Sequence, residues 1–311
     1  ATGTIGAVTE ATASAGPHTL TSADNWGGTL PANSDVMYFR DSANDIAWNL
    51  AGLTTDSHVL HVEASFTGKI GLDLTGFATT ADGQTVNAAV TEYRSGYMTF
   101  DSDRIEIGAH NGPGNPGGSQ RVMINNDNAG ASQTVVHNTS QLGSEAGKPP
   151  VRLLFAHANA DVEIRGGEVG IAIDVPGETS TVGDIIIKDG GVFTGDGLTV
   201  TNVTQQNGSS RLNIGAATVT KILIHDGNVL INGDQAITTL EVTGGRAECN
   251  TTGTVTTCTH KGGTVDYSMG GEARTVTTHQ LFSGATMITD ADIVTITNLI
   301  EPTGVSSIIA S

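Results

Sequence analysis

Short runs of alternating apolar and polar residues recur along this chain at a nearly fixed distance, and five glycines mark the repeat. They are Gly190, Gly208, Gly227, Gly245 and Gly263, separated by 18, 19, 18 and 18 residues. Five residues before each glycine stand Ile185, Val203, Ile222, Leu240 and Cys258; three before stand Ile187, Gln205, Ile224, Val242 and His260. Two residues after it come Val192, Ser210, Val229, Ala247 and Val265, and four after it Thr194, Leu212, Ile231, Cys249 and Tyr267. A fifth set, roughly ten residues past the glycine, is Val200, Val219, Ile237, Val255 and Val276. Period-two alternation is what a half-buried strand requires, and like residues at like positions are what stacked coils require. A coil cannot bury its apolar face alone and must sit on its neighbour. The pattern predicts an all-β fold, a parallel β-solenoid of three-sided coils about 18 residues long. Because a strict hexapeptide apolar repeat is missing, a right-handed β-helix is preferred over a left-handed one.

The repeat extends outward with looser spacing. Val162 and Ile164 before Gly167, then Val169 and Ile171, form an earlier rung; Leu281 before Gly284, then Thr286 and Ile288, form a later one. Roughly seven coils follow, a stack on the order of 30 Å tall. Residues 1–57 hold both tryptophans and several turn signals, and are expected to form an irregular N-terminal arm or cap over an open solenoid end. Residues 58–160 read as a β-rich region leading into the solenoid, 161–292 as the solenoid, and 293–311 as a last strand and tail. The stretches 112–118 and 140–150 are loops by composition. No convincing amphipathic helix appears.

Aromatic residues make up 4% of the 311 residues while glycines number 41, so the core is built from small β-branched layers, as a narrow coil demands. The formal charge is −18, from 14 Lys+Arg against 32 Asp+Glu. Such a surface repels phosphate, which argues against nucleic acid as a partner. No run of eighteen apolar residues and no basic-then-apolar leader occurs, so a soluble protein with no membrane partner is expected.

Candidate chemistry is sparse. Cys249 and Cys258 occupy inward positions half a coil apart and read as buried thiols rather than a disulfide. No Cys/His spacing suits zinc. His260 falls in an inward column and reads as a satisfied core residue; His225 points outward beside Asp226, and His279 sits where the repeat weakens. Asp101 and Asp103 share one strand face, as do Asp290 and Asp292. Each pair would suit calcium or a glycosidic bond, or simply a turn. No catalytic, cofactor-binding or metal-ligating residue is assigned, and no cofactor is expected. The residues chosen for contacts with a partner are Trp26, Trp48, Gly112, Pro113, Asn115 and Pro116, the tryptophans being either cap core or interface anchors.

Several stretches, taken in order, carry a resemblance: Asn25-Trp26-Gly27-Gly28 with Leu30-Pro31, Ser65-Phe66-Thr67-Gly68 with Ile70-Gly71-Leu72, Glu92-Tyr93-Arg94, and Arg104-Ile105-Glu106-Ile107-Gly108. Glu178-Thr179 then precedes the glycine-punctuated repeat. The chain resembles a group of uncharacterised virion-associated β-solenoid proteins encoded by tailed bacteriophages and prophages. The resemblance implies a nonenzymatic structural protein of the phage particle, made in the host cytoplasm. The reading placed first is a capsid decoration or cement protein on the exterior of the head, a homotrimer whose partner is the major capsid protein. A tail fibre or spike that binds or degrades host glycans is the alternative, and a bacterial surface adhesin the third.

Overall fold

A computed structural model describes residues 2–5, 26, 29–40, 42–46, 53–71, 78–79, 85–86, 96–109, 122–137, 149–173, 179–195, 197–214, 218–301 and 307–310. Strands of these segments join into a single 23-stranded sheet. Every pairing in it is parallel, and only the short pair Ala78–Thr79 and Thr85–Val86 lies apart, antiparallel. The chain is thus a parallel β-solenoid. From Val122–Asn126 onward each strand pairs with the strand two further along, as Val219–Ile224 does with Ile237–Val242 and Asn228–Gly233 with Arg246–Cys249. One coil therefore contributes two strands, and the next coil lays the same two on top.

The register carries the inward columns from rung to rung. Ile185 pairs with Val203, Val203 with Ile222, Ile222 with Leu240, and Leu240 with Cys258. In the neighbouring column Gln205 meets Ile224, then Val242, then His260 and Leu281. All these side chains are buried. Upstream the same ladder continues through Ala160–Ile164, Ser132–Val136, Met98–Ala109, Leu53–Glu63 and Val36–Phe39 to Thr2–Ile5. The coils thus begin well before the regular repeat, and residues 2–5 and 36–39 supply rungs of the stack. There the interior is filled by rings: Phe39 lies 5.7 Å from Phe66, 5.9 Å from Phe100 and 6.2 Å from Trp26. Larger side chains fill these coils, whose repeat lengths vary too much to read as a period.

Two expectations are corrected. The third inward set is no strand of its own: Val219, Ile237 and Val255 open the same strands that carry Ile222, Leu240 and Cys258. Two outward residues in succession separate the two inward ones, and the ladder skips the first of them, as between Val219/Ile237 and Lys221/Thr239. The strand bends there and yields two inward runs. On the later rung, the inward residue after Gly284 is Met287, paired with Val265, and not Thr286 or Ile288. One extra residue in this corner, between Leu281 and Thr286, shifts the alternation by one, and a one-residue slip exchanges the faces.

The corners explain the glycines. Gly190, Gly208, Gly227, Gly245 and Gly263 all have positive φ, between 68° and 90°. The carbonyls of the first four accept a hydrogen bond from the residue after the glycine one rung on, as in Arg246 N to Gly227 O at 2.8 Å and Asn228 N to Gly208 O at 2.8 Å, and Gly263 O accepts from Thr286 N, two residues past Gly284, at 2.9 Å. This stacking leaves no room for a side chain: a Cβ on Gly227 would lie 2.1 Å from the Gly208 oxygen. The two polar residues in the inward columns of one coil satisfy each other. Ser210 Oγ donates to Gln205 Oε1 at 2.6 Å, Gln205 Nε2 donates to the Asn207 carbonyl at 2.6 Å, and Ser210 Oγ accepts from Val192 N at 3.2 Å.

Gly227→Ala is expected to cost about 3 kcal/mol, combining left-handed strain with lost inter-rung hydrogen bonds. Gly271→Ala, at φ 68° but with open space around it, should cost only the strain, about 1–2 kcal/mol. Equal losses in chemical denaturation would show that close approach of the rungs does not select the glycine. Ser210→Ala should cost about 1–3 kcal/mol by stranding a buried amide oxygen, and adding Gln205→Leu should restore most of it. A double variant weaker than Ser210→Ala would refute the pairing.

Candidate functional site

Chemistry-bearing side chains occur in three places: strand and turn carboxylates, a polar cluster in the interior, and ion pairs between rungs. Asp101 and Asp103 lie in the strand Met98–Ala109 on either side of buried Ser102. Asp103 Oδ1 accepts from Asn128 Nδ2 at 3.3 Å. Asp290 and Asp292 do not share a strand face, which corrects the sequence expectation. They belong to the turn before Val294–Ile300, where Asp290 Oδ1 accepts from Asp292 N at 2.9 Å and the Asp290 carbonyl accepts from Val294 N at 2.9 Å. Aspartate is favoured at such a turn because its short carboxylate reaches the backbone two residues on. The two pairs belong to distant rungs and do not meet.

The interior cluster spans the coils around Gly263. Cys249 and Cys258 are free thiols, buried in the inward columns, and burial pushes them up to about 11 and about 12 respectively. At these values neither is a thiolate, the form that attacks or ligates. Tyr267 follows Cys249 in its column, and its hydroxyl shares a hydrogen bond of 3.1 Å with His279 Nδ1. His279 follows Cys258 in register, an inward column position rather than a fraying one. His260 is only half satisfied: Nε2 meets the Gly263 carbonyl at 3.2 Å while Nδ1 has no partner, and the same holds for His279 Nε2. The two rings meet edge to face at 5.6 Å. Burial first, then the neighbouring His260, drives the His279 imidazole down to about 3, and burial lowers His260 as well. Both rings are held neutral by burial in the interior, where they serve packing. Among the described residues no group of three or more His, Cys, Asp and Glu is placed to hold a metal ion.

On the outside, charges are zipped between coils. Glu241 accepts from Lys221 on one side at 2.8 Å and from Lys261 on the other at 2.6 Å, and these bonds hold its carboxyl below the usual range. Glu163 is bound by Arg165 of its own coil at 2.6 Å and by Lys188 of the next at 2.7 Å. Of the residues chosen for partner contacts, Trp26 is 5% exposed and packed on Phe39, so its ring is core and unavailable as an anchor. Trp48, Gly112, Pro113, Asn115 and Pro116 lie outside the described residues. Reading inward columns passes over an outward pattern of equal regularity, the threonines on both sides of Val219, Val255 and Val276.

The histidines set an acid dependence. Above about pH 6.5 they are neutral in both folded and unfolded chains. As pH falls below that, the unfolded chain binds protons that the buried rings refuse, so stability drops with pH until the folded values are reached, about 3 for His279. Down to the ordinary glutamate value of 4.5 this loss belongs to the histidines; below it Glu163 and Glu241, whose carboxyls are lowered, add theirs. At about pH 5 the His279 share is about 2 kcal/mol. The melting temperature is expected to fall between about pH 7 and pH 5, and His279→Leu should flatten that fall. A slope unchanged by this variant would place the acid sensitivity elsewhere.

Comparison with protein-family models, with curated proteins and with solved structures finds no match.

Proposed function

We propose that this chain is a nonenzymatic structural protein of a tailed-phage particle, a decoration or cement protein on the outside of the head. The observation that supports this most is mechanical. A single parallel sheet, two ladders joined at Met98–Phe100, takes in strands from Thr2–Ile5 to Ser307–Ala310, so that each coil is held by hydrogen bonds to the next and the protein behaves as one stiff strut. A clamp between shell subunits needs this stiffness. The formal charge of −18 suits a place away from packaged DNA, whose phosphates it would repel. Glu241 and Glu163 are neutralised by lysine and arginine partners, and Asp290 is engaged by its own turn.

The partner is the major capsid protein, and the assembly is a homotrimer seated on three-fold positions, with the solenoids packed side by side. Clamp energy comes from a few desolvated anchors and shape fit. The anchors assigned to this role are Trp48 and the stretch 112–118, with Gly112, Pro113, Asn115 and Pro116. Deleting the whole N-terminal segment is a poor test, since Thr2–Ile5 and Val36–Phe39 are rungs of the solenoid.

The test is reattachment to particles stripped of the protein, followed by imaging of the shell. Shortening 112–118 to a Gly-Ser turn should weaken attachment at least about tenfold, the loss of one hot-spot cluster. Asp101→Asn, Asp103→Asn, Asp290→Asn and Asp292→Asn should leave it intact. Labelling confined to the tail, or release of reducing sugars from host polysaccharide abolished by one of the Asn changes, would overturn this function and establish a glycan-cleaving spike.

A further inference from the structure

The outward residues beside the third inward column form a two-dimensional array. On six successive rungs the sequence reads Thr199-Val200-Thr201, Thr218-Val219-Thr220, Ala236-Ile237-Thr238, Thr254-Val255-Thr256, Thr275-Val276-Thr277 and Thr295-Ile296-Thr297. The central residues stack in register: Val219 on Ile237, Ile237 on Val255, Val255 on Val276, and Val276 on Ile296. The flanking residues therefore make two parallel outward columns, and eleven of their twelve positions are threonine. Most of these threonines are exposed. Among the described residues none of their hydroxyls takes part in a hydrogen bond, whereas Thr194, Thr243 and Thr251 spend theirs on backbone carbonyls.

Strand propensity alone does not account for the array. Threonine is a good strand former, but the other outward faces of the same coils form strands equally well while being mixed, and they include Glu, which strands disfavour. The outward positions of the second strand are Arg211, Leu230 and Glu248, in register with one another. On the first strand Leu223, Glu241 and Thr259 alternate with the same freedom. In a chain of charge −18, the threonine face holds no charge at any of its twelve positions. Something specific to this face excludes charge, large rings and variation.

The chemistry of the array narrows its ligand. A protein partner is gripped by buried aromatic or arginine anchors, a sugar by aromatic platforms with convergent polar groups, and a nucleic acid by cations. This face offers none of these. It presents a β-branched side chain of restricted χ1, one methyl and one free hydroxyl, repeated about every 4.8 Å along the stack and about 6.7 Å across it. Water oxygens on the prism faces of ice repeat at distances close to these two. Methyl groups hold water in cages, the hydroxyls join the lattice, and many weak contacts engaged together on a rigid body add to firm binding. We infer that this face is an ice-binding surface, whose ligand is the ordered water lattice of an ice crystal. It is about 24 Å long, five intervals of the strand spacing. This inference does not rest on the phage reading.

The test uses the full chain. In an ice-affinity partition, in which a cold probe grows ice from dilute protein, the protein is expected to enter the ice, and nanolitre osmometry should show a gap between melting and freezing points. The variant Thr238→Tyr with Thr256→Tyr, placing two rings mid-array, should lower partition at least tenfold at unchanged melting temperature. Thr204→Tyr, on the neighbouring face, should leave it unchanged. Should the double variant fail to fold, Thr238→Ser with Thr256→Ser replaces it, and a loss of partition is again expected because the methyls are gone. Exclusion of the unmodified protein from ice, or full partition by the folded variants, would overturn the inference. So would a change of oligomeric mass on mutating this face with no effect on ice.

Discussion

Close stacking of successive coils at the glycine corners is the constraint on which the rest of the structure depends. Each corner carbonyl accepts from the backbone one rung on, as Gly227 O does from Arg246 N, and this fixes the register of everything between corners. The contact demands a left-handed backbone and forbids a Cβ, which only glycine satisfies. Register once fixed, inward residues stack on inward residues. Without it, a slip of one residue would turn a whole strand inside out, as the extra residue before Thr286 does locally.

From this follows a rule for the interior. A side chain in a narrow coil touches mainly the side chains above, below and across, so a polar one needs a partner within about a coil. Ser210 and Gln205 meet this rule within one coil. The C-terminal interior meets it only in part, since Tyr267 and His279 bond to each other while His260 Nδ1 and His279 Nε2 remain unpartnered. The imbalance makes the last coils the acid-sensitive part of the stack. At the N-terminal end the rule is avoided with a ring cluster of Trp26, Phe39, Phe66 and Phe100.

The same register organises the surface. Some opposite charges fall on adjacent rungs, and Glu241 between Lys221 and Lys261 ties three coils together. Individually such exposed pairs contribute little, but a network aligned by the backbone costs less side-chain entropy than isolated pairs do. The threonine columns are the opposite case, neutral, with hydroxyls that make no hydrogen bond among the described residues. A stiff strut with one regular neutral face is compatible both with a clamp on a shell and with a surface that meets a crystal, and the two use different parts of the molecule.

By itself the sequence determined the fold class, the inward columns and the corner positions between about Gly167 and Leu281. A solenoid's contacts lie one period away, so its tertiary register is written as a local repeat, and the thiols of Cys249 and Cys258 could be placed inside from it alone. Tertiary structure decided what the period does not carry. The rungs at Val36–Phe39 and Leu53–Glu63, like those before and after them, are separated by stretches of sequence of unequal length, and pairing over such distances leaves no fixed spacing to read. It decided that Asp290 closes a turn rather than sharing a strand face with Asp292, because one hydrogen bond to its own backbone outweighs alternation. It put Trp26 in the core, since a ring beside Phe39 is removed from water whatever its place in the chain. The threonine array lay between the two: its residues are plain in the sequence, but only stacking in register turns six tripeptides into a surface.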